Sequence, residues 1–180
     1  MDRRALLIES LNAFHPYDNA EASHRSRMIE LAQVPGDPFS RSHFEPGHFT
    51  ASAFILSPDG NSLLLIHHSK LHRWLQPGGH AEPADADLAA TAAREVVEEV
   101  GITSLTAEKS GVFDVDIHPI PARKTEPLHE HFDVRYLFRA TDLSAVAGSD
   151  ATAYRWVPIA EVTAELTDAS VMRALAKLRK

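Results

Sequence analysis

Arg94-Glu95-Val96-Val97-Glu98-Glu99-Val100-Gly101-Ile102, with the loop Gly78-Gly79-His80-Ala81-Glu82 before it, decides the fold. Apolar side chains recur at Ala89, Ala92, Ala93, Val96 and Val100, the period of one helical face. The spacing predicts a helix from about Asp87 to Val100. Gly101 stops it at the position after the C-cap, where a residue without a Cβ turns the chain at least cost. Glu95, Glu98 and Glu99 stand at i, i+3 and i+4 and share a different face. Three carboxylates so close repel one another, and Arg94 is the single cation nearby in sequence. A divalent ion that prefers oxygen ligands, Mg2+ or Mn2+, relieves that repulsion. A solvated acidic helix can carry the same triplet, because glutamate favours helices. The triplet therefore needs its context.

That context is the loop, where Gly78-Gly79 lets a backbone carbonyl approach an ion. Loop and helix together resemble the Nudix box, whose pattern is Gly, five residues, Glu, seven residues, then Arg-Glu-apolar-x-Glu-Glu-x-Gly-apolar. The second half matches at every specified position. The first half departs by one residue. Counting back from Arg94, the pattern's glutamate falls on Ala86 and its glycine on His80. Anchoring on Gly79 leaves one extra residue, and Asp85 and Asp87 are the acids available to stand in.

The resemblance implies an α/β (α+β) fold, a Nudix-type α/β/α sandwich with a mixed sheet. It implies metal-dependent hydrolysis of a phosphoanhydride (pyrophosphate) bond in a nucleoside diphosphate linked to another moiety. On that likeness Glu98 and Glu99 are metal ligands, and Glu95 is a ligand or the general base. Arg94 orients a glutamate, and the Gly79 carbonyl completes the coordination. Glu82, in Gly-Gly-x-x-Glu, is a further ligand or substrate contact.

Outward from the box, residues from about Arg3 to Phe14 read as a helix. Asp18 with Glu21 resembles a capping box for a second helix through Gln33. Residues 1–43 thus form an expected helical extension, and residues 44–180 the catalytic domain. Phe49 to Leu56 and Ser62 to His67 read as a hairpin about Ser57-Pro58-Asp59-Gly60. Trp74 to His80 reads as loop. Strands are expected at Gly111–His118, His131–Arg139 and Tyr154–Val157, and short helices at Ile159–Leu166 and Ser170–Leu178.

The chain has 180 residues, 44% of them hydrophobic, enough for a core without disulfides. The absence of cysteine excludes thiol nucleophiles and Cys-ligated zinc. It also argues against an isopentenyl-diphosphate-isomerase-like enzyme, which shares the fold but in its commonest form uses a catalytic cysteine. A net charge of −7 disfavours DNA as a partner and leaves a small nucleotide-type substrate screened by metal. Ala5 to Ile8 is too short an apolar run for a leader or a membrane span, so a cytoplasmic protein is expected. A catalytically silent nucleotide sensor of the same fold is the alternative. The intact glutamate set argues against it.

Eleven histidines are many for a chain of this length. His80 beside the box and His131 in His129-Glu130-His131 are candidates for a second metal or a phosphate contact. Glu130 is a candidate late carboxylate or base, and Arg123-Lys124 a candidate phosphate contact. Trp74 and Phe132 can stack on a base or belong to packing. The N-terminal helices can cover the sheet or build a homodimer.

Overall fold

The computed structural model describes residues 2–68, 72–123, 125–148 and 151–179. Among these there are four α-helices: α1 (Arg3–Ala13), α2 (Asn19–Gln33), α3 (Leu88–Val100) and α4 (Ala169–Ala176). The strands are β1 (Gly47–Leu56), β2 (Ser62–His68), β3 (Arg73–Leu75), β4 (Gly78–His80), β5 (Leu105–Ala107), β6 (Asp114–Ile120), β7 (His129–Ala140) and β8 (Ala151–Pro158). They form one mixed sheet in the order β3-β2-β1-β7-β5, with β4 on β1, β6 on β7 and β8 on β2. The expected α+β class and the expected N-terminal helices are both present. No helix among the described residues is long and apolar enough to cross a membrane. By its contacts the chain divides into two compact units, and β1, β7 and α3 each run through both.

The first unit comprises residues 1–52, 79–91 and 111–136. Asp18 caps α2 by accepting from the Glu21 N–H at 2.8 Å, and the Glu21 carboxylate returns to the Tyr17 N–H at 2.6 Å. This is the predicted capping box, with its return bond one residue before the cap. The Arg4 guanidinium gathers the carbonyls of Ala32, Val34 and Gly36 at 2.6, 2.7 and 2.7 Å, satisfying acceptors left over at the end of α2. Leu7, Leu11, Phe14, Met28 and Leu31 are buried beneath the two helices. In the sheet, β6 pairs antiparallel with β7 from Asp114↔Arg135 to Ile120↔His129. β6 starts later than expected, because Gly111 turns the chain at φ +77°. β1 is buried along its whole length. Its Thr50 and Ser52 hydroxyls tolerate that by donating to the Asp133 carboxylate at 3.1 and 2.8 Å.

The second unit comprises residues 53–78, 92–110 and 137–180. The predicted hairpin is present, with Leu56 opposite Leu63 and Gly60 at φ +76° in the turn. Leu63, Leu64, Leu65 and Ile66 of β2 are buried, as expected of a strand with neighbours on every side. Two expectations need correction. The stretch Trp74–His80 is not all loop, since it carries β3 and β4, three residues each and too short for a periodic signal. Ile159–Leu166 is not a helix beyond the 3-10 turn Ile159–Glu161. Past that turn the chain supplies acceptors to β3. The Trp74 N–H donates to Leu166 O at 3.2 Å and the Arg73 guanidinium to Thr167 O at 2.7 Å. α4 follows, capped by Asp168 on the Val171 N–H at 2.9 Å, and buries Val171, Ala174 and Leu175.

Candidate active site

α3 begins with two acids in different roles. Asp87 caps it, accepting from the Ala90 N–H at 2.8 Å. The Asp85 carboxylate accepts from the Glu82 N–H at 2.9 Å and from the Thr91 hydroxyl at 2.8 Å, tying the loop to the first turn. These are the two acids between which the sequence pattern does not choose. Leu88, Ala92, Val96 and Val100 form the buried stripe, while Ala89 and Ala93 are only half-buried.

On the remaining surface of α3, Nη1 of Arg94 donates to Glu95 and to Glu98, each at 3.0 Å. Glu95 is mostly covered, whereas the Glu98 side chain is 54% exposed. Glu99 accepts from the Gly78 N–H at 2.9 Å, so the first glycine of the loop does hold a carboxylate. The end of the helix is closed by Gly101, at φ +68°, and by residues 146–148. The Val146 N–H donates to Val100 O at 2.9 Å and the Gly148 N–H to Glu99 O at 2.7 Å. Nothing in the sequence pattern singles out Gly148. Its signal is a glycine where the backbone of α3 leaves no room for a Cβ.

The other expected residues fall in several places. Gly79 is half-buried in β4, and Glu82 is exposed, its carbonyl accepting from Arg3 at 2.9 Å. Arg123 is exposed and bridges to Glu126 through backbone hydrogen bonds, and Lys124 lies outside the described residues. The Glu130 carboxylate is ion-paired with Arg27 beside an open cavity of about 560 Å³ that Phe44, Pro46 and Leu128 also line. Phe132 is core, meeting Phe49 edge-on. Trp74 carries the Arg155 guanidinium over its ring at 4.6 Å.

His80 and His131 come together, joined by His48 near the start of β1, which no sequence motif marks. Burial lowers the pKa of His80 to about 4 and that of His131 to about 2, with neighbouring imidazoles adding to both. Burial lowers His48 as well. In each case burial disfavours the charged ring. A buried ion cluster is likewise absent from the sequence expectations. Arg135 reaches Asp133, Asp114 and Asp116 at 2.8, 3.1 and 3.4 Å. Burial opposes its charge, yet the three carboxylates outweigh that and raise its pKa.

The model of the NUDIX domain matches residues 46–177. The probable DHNTP pyrophosphohydrolase of Lactococcus lactis subsp. cremoris (strain MG1363) is 36% identical over 130 residues, 69% of this chain and 75% of that one. Two solved structures share the fold. The C. elegans Ap4A hydrolase in a binary complex is 20% identical with a TM-score of 0.56, over 73% of this chain and 93% of that one. The E. coli dihydroneopterin triphosphate pyrophosphohydrolase is 18% identical with a TM-score of 0.57, over 72% and 92%. A box matched at every position of its second half, set on a helix of this build and inside a family match spanning most of the sequence, has one meaning: the chain belongs to the Nudix hydrolase family.

Proposed function

We propose that this hydrolase cleaves the pyrophosphate bond of a small nucleotide-type molecule, with a divalent cation bound by Glu95, Glu98 and Glu99. The observation that carries the reading is the hold on those carboxylates. Arg94 draws Glu95 and Glu98 together, and the Gly78 N–H fixes Glu99. Three carboxylates against one guanidinium leave two negative charges, and every donor is a hard oxygen. That set fits Mg2+ or Mn2+. When bound, such an ion lowers the pKa of a water and offsets charge developing on phosphoryl oxygens. The Gly79 carbonyl is a further ligand in this proposal.

The chain's own residues have separate tasks. Arg94 is a positioning residue, keeping Glu95 and Glu98 in one orientation by charge-assisted hydrogen bonds. Glu95, the more covered of the two, is assigned as a metal ligand or the general base. Glu98, the more open, is suited to binding. Asp85 and Asp87 keep the loop and the helix start together. Glu82, Arg123 and Lys124 are assigned to the substrate's phosphates. Residues 1–43 are assigned to an extension and residues 44–180 to catalysis, in the cytoplasm.

The likeness to the L. lactis protein supports a triphosphate with a bicyclic, base-like head as the first substrate to try. A panel of dihydroneopterin triphosphate, nucleoside triphosphates, dinucleoside polyphosphates and nucleotide sugars, each with Mg2+ and with Mn2+, tests the reading. Cleavage of a member that Glu98→Gln abolishes is the expected result. Tight binding without turnover across the panel overturns the enzyme reading in favour of a sensor. Unchanged turnover in Glu98→Gln overturns the metal assignment.

A further inference from the structure

Five histidine rings cluster in the first unit. His48, His80 and His131 form a triangle with centroids 4.9 to 5.1 Å apart. His129 stacks on His48 at 5.1 Å, and His118 meets His131 at 5.5 Å. Each member of the triangle offers one ring nitrogen, and the three nitrogens lie within 4.8 Å of one another. The three residues come from β1, β4 and β7, so sheet backbone sets their separation.

His48 shows what the triangle is suited for. The residue is 1% exposed. Its Nδ1 lies 3.1 Å from the His43 carbonyl, an acceptor, so Nδ1 carries the proton and Nε2 carries a lone pair. That Nε2 is buried without a hydrogen-bond partner among the described residues. A buried acceptor left unmade is costly, and protein interiors rarely leave one so. A backbone carbonyl fixing the tautomer through Nδ1–H while Nε2 faces inward is also how metal-binding histidines are held.

We propose that His48, His80 and His131 form a three-imidazole site for a divalent transition cation of the Zn2+ class. All-nitrogen donors set this site apart from the carboxylates of α3, which suit Mg2+ and Mn2+. Three protein ligands leave a fourth position for water or an incoming anion. The site stands independently of the pyrophosphohydrolase reading.

The test uses the untagged chain, stripped with a chelator and titrated with Co2+ as a spectroscopic probe, then with Zn2+. One equivalent of Co2+ is expected to bind with the visible ligand-field bands of nitrogen coordination, and Zn2+ to displace it. In the triple variant Glu95→Gln, Glu98→Gln, Glu99→Gln those bands persist. In His80→Gln the Co2+ affinity falls by at least about 10- to 100-fold, since loss of a ligand exceeds loss of its support. Bands lost in the glutamate variant, or unchanged in His80→Gln, overturn the proposal. If circular dichroism shows that His80→Gln does not fold, X-ray absorption of the Zn2+-loaded natural chain decides. Imidazole scattering from three rings supports the site, and a shell of oxygens alone overturns it.

Discussion

Gly148 comes so close to Glu98 that a Cβ placed on it would lie 2.0 Å from the Glu98 carbonyl oxygen. The neighbour is helix backbone and cannot swing aside. The Gly148 N–H at the same time holds Glu99 O at 2.7 Å. Gly148→Ala must therefore push residues 146–148 away from the end of α3. Forcing atoms into a filled space costs about 1–3 kcal/mol. For a chain of this size, Tm falls by roughly 2–4 °C per kcal/mol. Thermal unfolding checks the stability, and steady-state kinetics should show a lower kcat because the turn of α3 that carries Glu98 and Glu99 loses its brace. An unchanged Tm would mean that the segment does not brace the helix.

Arg94 is expected to act on catalysis through its two glutamates. Removing it in Arg94→Ala frees Glu95 and Glu98 to repel each other and to turn outward. Apparent Mg2+ affinity and kcat should each fall about 10- to 100-fold, the usual cost of losing a ligand's support. Arg94→Lys should recover part of this, because an ammonium carries the charge without the planar fork. Rates measured across a Mg2+ series separate the two effects. Full activity of Arg94→Lys at every Mg2+ level would show that only charge matters at this position.

The box is legible in the sequence because its chemistry and its helix share one short stretch of chain. The three glutamates, the stop at Gly101 and the cap at the start of α3 are all local, and local rules describe them. The early acid is not legible, because Asp85 and Asp87 differ only in which backbone and hydroxyl groups they meet. The histidine triangle is half legible. His80 and His131 stand out by their neighbours in sequence, but His48 comes from β1 and joins them only through strand pairing. Arg135 and its three aspartates are invisible for the same reason. Alternation along β6 and β7 hides inward-facing charges whose partners lie on the next strand.

The turn at Asp59 carries a clear pH signature. Its carboxylate accepts from the Ser57 hydroxyl, the Asn61 N–H and the Asn61 side-chain amide, which lower its pKa from 3.8 to about 2. A folded-state pKa below the unfolded one means that its contribution to stability is full above 3.8. That contribution fades as pH falls through about 2. A carboxyl-carbon NMR titration should place the midpoint near 2 in the natural chain. Since the Ser57 hydroxyl is the largest cause, Ser57→Ala should raise it toward the ordinary value. A midpoint already at the ordinary value in the natural chain would sink the argument.

Arg135 offers the sharpest stability test, because its charge is needed by three partners at once. It is 1% exposed, and its nitrogens Nε, Nη1 and Nη2 each meet a different carboxylate. Asp133 is also held by Thr50 and Ser52, so it cannot turn away when the guanidinium is lost. Arg135→Met keeps much of the volume but strands three buried carboxylates. Breaking a buried ion pair in this one-sided way costs roughly 3–5 kcal/mol. Urea unfolding should show that loss as a lower midpoint. Arg135→Lys separates charge from geometry: an ammonium is a single point and cannot serve three directions, so it should recover only part of the stability. Adding Asp114→Asn to Arg135→Met removes one of the stranded charges and should raise the midpoint again. A double variant no more stable than Arg135→Met would mean that the lost packing of the arginine stem, and not the charge left behind, accounts for the damage.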